Sequence, residues 1–164
     1  MKKIEEEIQQ KKFRSALQKA IINIIYTCNW VQHKHKGFFS NFGITGQQFN
    51  ILRILKGQHP NTISAKEIKS RMLDRNSDVS RLLERLAAKN LIEKKTCIAD
   101  KRAYDVFITE KGLALLYEIE KSEKELDAVL SLSENEAHQL SDLLDKSREY
   151  QTAASSLRTK LTSS

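Results

Sequence analysis

Helix breakers are what this chain has least of: one proline and five glycines in 164 residues. Proline removes a backbone donor and glycine adds backbone entropy, so a chain poor in both is expected to be mostly helical, with long helices. Two cysteines, Cys28 and Cys97, are too few for a disulfide framework and suit a reducing cytoplasm. No apolar run is long enough to span a membrane. The best, residues 20–26, is short and is interrupted by Asn23, so no membrane partner is expected. The Met1 end carries lysines but no apolar segment with a small-residue cleavage site, so no secretory signal is expected. A Gly-rich phosphate loop, a paired-carboxylate box and a nucleophile elbow are also missing, which argues against an enzyme and against a cofactor. The one metal-like spacing, His33-Lys34-His35, has no carboxylate or thiolate nearby and reads as a solvated basic helix end rather than a ligand pair.

What is present is basic and unevenly spread. Net charge is +7, with apolar content of 40% and charged content of 30%, as expected of one globular domain that can bury a core. Residues 1–36 carry eight Lys/Arg against three Asp/Glu, residues 61–111 carry twelve against eight, and residues 112–150 carry four against ten. A basic first two-thirds points to a polyanionic partner. Solvated helix faces would explain the acidic region equally well, but they explain the basic cluster over 94–102 less well.

Residues 1–36 read as one long helix, with Phe13, Leu17, Ile21, Ile24, Cys28 and Val31 recurring at spacings of four and three. Ala20, Ile25 and Trp30 widen that stripe beyond what one neighbour covers, so either a second subunit or a buried position inside the chain must supply more. Residues 37–43 break the pattern. Thr45 with Gln48, and then Ser64 with Glu67, are capping boxes, stapled by Ile44–Phe49 and Ile63–Ile68. The helix after Thr45 stops at Gly57, and the short helix after Ser64 ends near Met72. Leu73-Asp74-Arg75 makes a turn, and Asn76 or Ser77 caps a helix whose inward stripe is Val79, Leu82, Leu83 and Leu86. That helix ends at Lys89-Asn90, with Asn90 in the left-handed position often given to glycine. Its outward residues Asn76, Ser77, Asp78, Ser80 and Arg81 are of the kinds that read a major groove, where small polar side chains, amides and arginine meet base edges. An ordinary helical core with a polar outer face is the competing account of the two helices.

The next segment favours DNA. Residues 91–96 and 104–109 are strand-like, and the turn between them carries Asp100, Lys101 and Arg102. A helix pair followed by a basic hairpin is a winged helix-turn-helix. Arginine suits the strong negative potential of a narrow minor groove, and Asp100 is placed to hold it or the hairpin by a charged hydrogen bond. Lys94 and Lys95 are candidates for the phosphate backbone. After the hairpin, Thr109 caps another helical region, and Ser133 with Glu136 starts a last one bearing Leu140, Leu143 and Leu144.

Asp100, Arg102, Ile108 and Thr109 stand at the spacings of the wing motif of MarR-type transcriptional regulators: an Asp, one residue, an Arg, five residues, then Leu-Thr. The chain resembles that family over 44–112, through DRNSDVSRLLERLAAKNLIEKK and ITGQQFNILRIL as well as the wing. Ile108 replaces the motif's Leu, and Asn90 replaces the family's usual Gly. The resemblance implies a mainly α fold with a small β-hairpin wing, in which residues 44–112 bind double-stranded DNA. Residues 151–164, rich in Ser and Thr, read on their own as a flexible tail, while the resemblance makes 1–43 and 113–150 a helical dimerisation region. It implies a homodimeric regulator, a repressor in the first reading, bound to a pseudo-palindromic site. It also implies a small aromatic ligand, for which Trp30, Phe38, Phe39, Phe42 and Tyr117 are candidates for lining a pocket or, equally, for the core. Two alternatives stay open: redox sensing through Cys28 or Cys97, and a winged-helix protein-interaction module without DNA binding. Cys28 on the apolar stripe reads first as a buried, inert thiol, and Cys97 at the wing base as the more exposed of the two.

Overall fold

The computed structural model describes residues 2–96 and 104–161, with side chains for all of these except Thr96, Glu123 and residues 150–161. It divides into two units, Met1–Val129 and Leu130–Ser164.

The first unit begins with a difference from the expected single helix. A short α1 (Ile4–Glu7) is separated from α2 (Ala16–Ser40) by an irregular link. Gln9 turns the chain through a left-handed backbone (φ 54°), and the Ser15 hydroxyl then accepts from the Gln18 N–H to start a new helix. Helix α1 lies back along α2: Tyr26 Oη donates to Glu7 at 2.9 Å, and Lys19 pairs with Glu5. At its other end α2 runs through Gly37 to Ser40, past the expected break, because one glycine lowers helix stability without ending a helix. The break falls at Gly43, whose positive φ of 67° is the conformation that glycine adopts without strain.

Local capping sets the boundaries of the next helices. Helix α3 (Gly46–Lys56) starts at the Thr45–Gln48 capping box and α4 (Ala65–Arg71) at the Ser64–Glu67 box. Helix α5 (Val79–Ala88) ends at Asn90, whose φ is 57° as expected from the sequence. Strands β2 (Ile92–Thr96) and β3 (Tyr104–Ile108) pair antiparallel with Ile92 opposite Ile108 and Thr96 opposite Tyr104. A two-residue strand, β1 (Ile63–Ser64), adds to the far side of β3, giving the order β1-β3-β2. Helices α6 (Glu110–Glu120), capped by Thr109, and α7 (Glu123–Asp127) complete the unit.

One core joins these elements. Ile51, Leu52 and Leu55 of α3 meet Ile68 of α4, Leu83 and Leu86 of α5, Ile92 and Val106 of the sheet, and Leu116 and Ile119 of α6, all essentially inaccessible. At about 1.5–3 kcal/mol per buried aliphatic side chain, this cluster is the main source of the unit's stability. Gly112 is fixed by the close approach of α6 to the strand region: a Cβ there would lie 2.3 Å from the Leu91 carbonyl oxygen.

The second unit is α8 (Glu134–Leu161), started by the expected Ser133–Glu136 box. It extends to Leu161. Residues 151–161 hold neither glycine nor proline and include two alanines, so nothing local stops the helix.

Candidate nucleic-acid interface

Helix α5 is buried on one side and exposed on the other. Val79, Leu82, Leu83 and Leu86 face the core, while Ser80, Arg81, Glu84 and Arg85 are exposed. The helix starts later than predicted. Its N-cap is Asp78, whose carboxylate accepts from the Arg81 N–H at 3.1 Å, rather than Asn76 or Ser77. Asn76 is exposed in the preceding turn.

Ser77 corrects the sequence reading. The helical pattern puts it on the exposed face, yet only 6% of it is accessible. Its hydroxyl donates to Asp74 Oδ2 at 3.1 Å and accepts from Gln47 Nε2 at 3.1 Å, while Gln47 also donates to Asp74 at 3.2 Å. The other Asp74 oxygen accepts from the Asn76 N–H at 2.9 Å, and Asn50 Oδ1 accepts from the Leu73 N–H at 3.0 Å. This network ties the turn to α3 and so sets where α5 begins. Ser77 is therefore buried in the turn, bonded to Asp74 and Gln47, and not on the exposed face. Sequence reasoning misses Gln47, Asn50 and Asp74; an Asp two residues before Asn76 is an Asx-turn signature that marks at least Asp74.

The hairpin follows this helix in sequence, and β2 packs against it. Lys94 and Lys95 are exposed on β2, with the Lys94 ammonium 4.7 Å from the centre of the Tyr104 ring and Lys95 opposite Asp105 in register. Asp100, Lys101 and Arg102, along with Cys97, lie outside the described residues.

Two further expectations are settled by position. Cys28 is exposed, correcting the buried-thiol reading; Gln32 Nε2 is 3.5 Å from its sulfur. The aromatic candidates divide. Phe39 is core, and Phe38 packs partly buried against it, whereas Phe42 and Tyr117 line a cleft of about 590 Å³ with Ile44, Leu91, Lys89 and Lys111. Trp30 is not on that cleft. Lys89 donates to the Gly43 carbonyl, and Lys111 to the Lys89 carbonyl at 3.0 Å, so the cations bridge the cleft's backbone walls. Among the described residues no group of His, Cys, Asp and Glu is placed to hold a metal ion.

A short helix, a turn fixed by hydrogen bonds, a second helix with a polar outer face and then a β-hairpin define the winged helix-turn-helix class. The MarR family model matches residues 42–103. The HTH-type transcriptional regulator MgrA of Staphylococcus aureus is 27% identical over 108 residues, spanning 66% of this chain and 72% of MgrA. A MarR transcription factor structure from Planctomyces limnophilus aligns over 82% of this chain and 98% of that one, at 28% identity and a TM-score of 0.65. The S. aureus MepR–DNA complex shares the fold at a TM-score of 0.68 and 23% identity, covering 85% of this chain and 99% of that one. The chain is thus similar to MarR-family regulators, by sequence over residues 42–103 and by fold over most of its length.

Proposed function

We propose that this chain is a cytoplasmic, homodimeric transcriptional repressor that binds a pseudo-palindromic duplex DNA site and is released by a small aromatic ligand. DNA-binding regulation of transcription, rather than catalysis, is the function that family carries. The observation that carries the reading for this chain is the outer face of α5. Ser80 and Arg81 are exposed at its N-terminal half, and Asn76 is exposed in the turn before it, which Asp74, Ser77 and Gln47 hold by hydrogen bonds. Arginine and amide side chains on a pre-set helix are what major-groove reading uses. Asp78 sits beside them, but its carboxylate is engaged as the cap. Lys94 and Lys95 serve the backbone. Lys101 and Arg102 serve the wing, with Asp100 holding it, on the strength of the motif spacing.

The dimer is supported by α2. Leu17 is 76% and Ile21 58% accessible, with Ile24, Ile25 and Trp30 also exposed on the same helix. An apolar patch of this kind marks an interaction surface. The ligand is supported by the cleft between Phe42 and Tyr117, whose apolar walls and two cations suit an aromatic body with a polar or anionic group. No described helix is long and apolar enough to cross a membrane.

The test is a mobility shift on genomic fragments, followed by recovery of the bound sequences. Arg81→Ala should then weaken binding to the recovered site by about 1–3 kcal/mol while leaving non-specific binding nearly unchanged. Arg102→Ala should weaken binding to all sequences. If wild type shifts no fragment at any salt concentration, the reading fails.

A further inference from the structure

We infer that the cleft between α4 and the turn before α5 is a seat for a DNA backbone phosphate, formed by Lys66, Lys69 and Arg75; this rests on the DNA-binding reading above. Neither the wing motif nor the recognition-helix pattern points to these residues. The observations are the convergence of the side chains and the fate of the acids around them. Lys66, Lys69, Ser70 and Arg75 line one cleft of about 340 Å³, although Arg75 comes from a different segment than the other three. All four are exposed, and among the described residues none of the three cations forms a salt bridge.

The two nearest acids in sequence are directed elsewhere. Glu67 Oε2 turns back to the Ser64 hydroxyl at 2.9 Å and the Ser64 N–H at 3.3 Å, closing the α4 capping box. Asp74 spends both oxygens on Gln47, Ser77 and the Asn76 N–H. Ser70 is also committed, donating to the Glu67 carbonyl at 2.8 Å, so it shapes the wall and leaves the donors to the three cations. Three unpaired cations around a small open cleft, with no carboxylate turned into it, leave a site for an anion.

The fold says which anion. Arg75 is the neighbour of Asn76 and belongs to the turn that the Asp74 network locks to α3. The cleft is therefore held at a fixed offset from the N-terminal end of the reading helix. A phosphodiester flanking the groove that α5 enters is the anion such an offset selects, because backbone contacts fix a protein's register on the duplex. Lysine serves as a compact point charge, and the arginine adds a planar fork of donors to the phosphate oxygens.

The test reads counterion release. Affinity for a fluorescent 30-base-pair duplex of arbitrary sequence is measured by anisotropy across a range of salt concentrations. The wild type is compared with the triple variant Lys66→Ala/Lys69→Ala/Arg75→Ala and with a charge-matched control outside the winged helix, Lys11→Ala/Lys34→Ala/Lys36→Ala. Each phosphate contact contributes about 0.9 to the slope of log affinity against log salt. The triple variant should flatten the slope by roughly 1–3, depending on how many of its cations reach phosphate at once. The single Lys69→Ala variant should flatten it by no more than about 0.9, and the control should leave it unchanged. Coincident thermal transitions for all variants show that the exposed substitutions leave the fold intact. A wild-type slope in the triple variant overturns the cleft while the DNA-binding reading stands. Equal flattening by the control also overturns it, since the effect is then net charge. Failure of the wild type to bind the duplex overturns both.

Discussion

Helices α2 and α5 carry the same kind of message and end in opposite situations. Each has an apolar stripe at helical spacing. In α5 the stripe is closed over: Val79, Leu82, Leu83 and Leu86 are buried against α3, α4 and the sheet. In α2 only Phe39, at the C-terminal end, is buried, and Leu17, Ile21, Ile24 and Ile25 face outward. The difference is one of partners. Periodicity states that a face must be covered; it does not state by what. The winged helix finds its partners within the chain, whereas α2 meets α3 at its C-terminal end, where Phe39 packs on Phe49, and the short α1 through Glu5 and Glu7, leaving Leu17, Ile21, Ile24 and Ile25 uncovered. A self-sufficient reading head joined to an unfinished helix is the arrangement expected when the second copy completes the structure.

The largest expected effect tests the self-sufficient half. Leu83 is fully buried in the cluster, so Leu83→Ala should cost about 2–5 kcal/mol of unfolding free energy, the lost transfer term plus the cavity left behind. Urea unfolding followed by circular dichroism measures it. A loss under about 1 kcal/mol would mean that the head can collapse around the gap and is not a packed core.

The second prediction tests the unfinished half. Ile21→Asp with Ile24→Asp should convert a dimer to a monomer in sedimentation equilibrium, with a far smaller loss of head stability at high dilution than Leu83→Ala causes. Both side chains are already exposed within the single chain, and surface changes generally stay within about 0.5 kcal/mol. The wild-type thermal midpoint should rise with protein concentration, because association stabilises by mass action. A double variant that still sediments as a dimer would remove α2 as the interface and leave its apolar face without an explanation.

Legibility in the sequence divides along the same line. Signals that act within a few residues can be read directly: the Thr45–Gln48, Ser64–Glu67 and Ser133–Glu136 boxes, the left-handed Asn90 and the pairing of the hairpin strands. Features that escape the sequence depend on distant parts of the chain. Strand β1 is two residues long and exists because Ile63 and Ser64 pair with Val106 and Asp105, more than forty positions away. Ser77 looks like any polar residue ahead of a helix, and it is buried because Gln47 arrives from another helix. The Ser15 cap is a local signal, but it is hidden inside an apolar stripe that runs on past it from Phe13. At the candidate site, Arg81 and Ser80 are legible from amphipathicity alone. The cleft cations are not, since Arg75 joins Lys66 and Lys69 only once the turn is folded.

The smallest predicted effect belongs to one of those local signals. The Ser64 hydroxyl and backbone N–H, together with the positive charge of Arg71, hold the Glu67 carboxyl below its ordinary value of 4.5. A carboxylate whose folded pKa is depressed contributes stability that is fully present above the unfolded value. That contribution is lost as pH falls through the lower, folded value, because the unfolded state takes up the proton first. Acidification below about 4.5 should therefore weaken the start of α4, with Glu136 at Ser133 and Glu5 beside Lys19 adding losses of the same sign. Glu67→Gln keeps the capping hydrogen bond and removes the titration, so the fall in thermal midpoint between about pH 5 and pH 3 should become slightly shallower. Because Glu67 is on the surface, added salt should shrink even that small difference. An unchanged acid limb would mean that the box holds Glu67 equally well in both protonation states, so that the α4 cap depends on geometry alone and charge has no part in it.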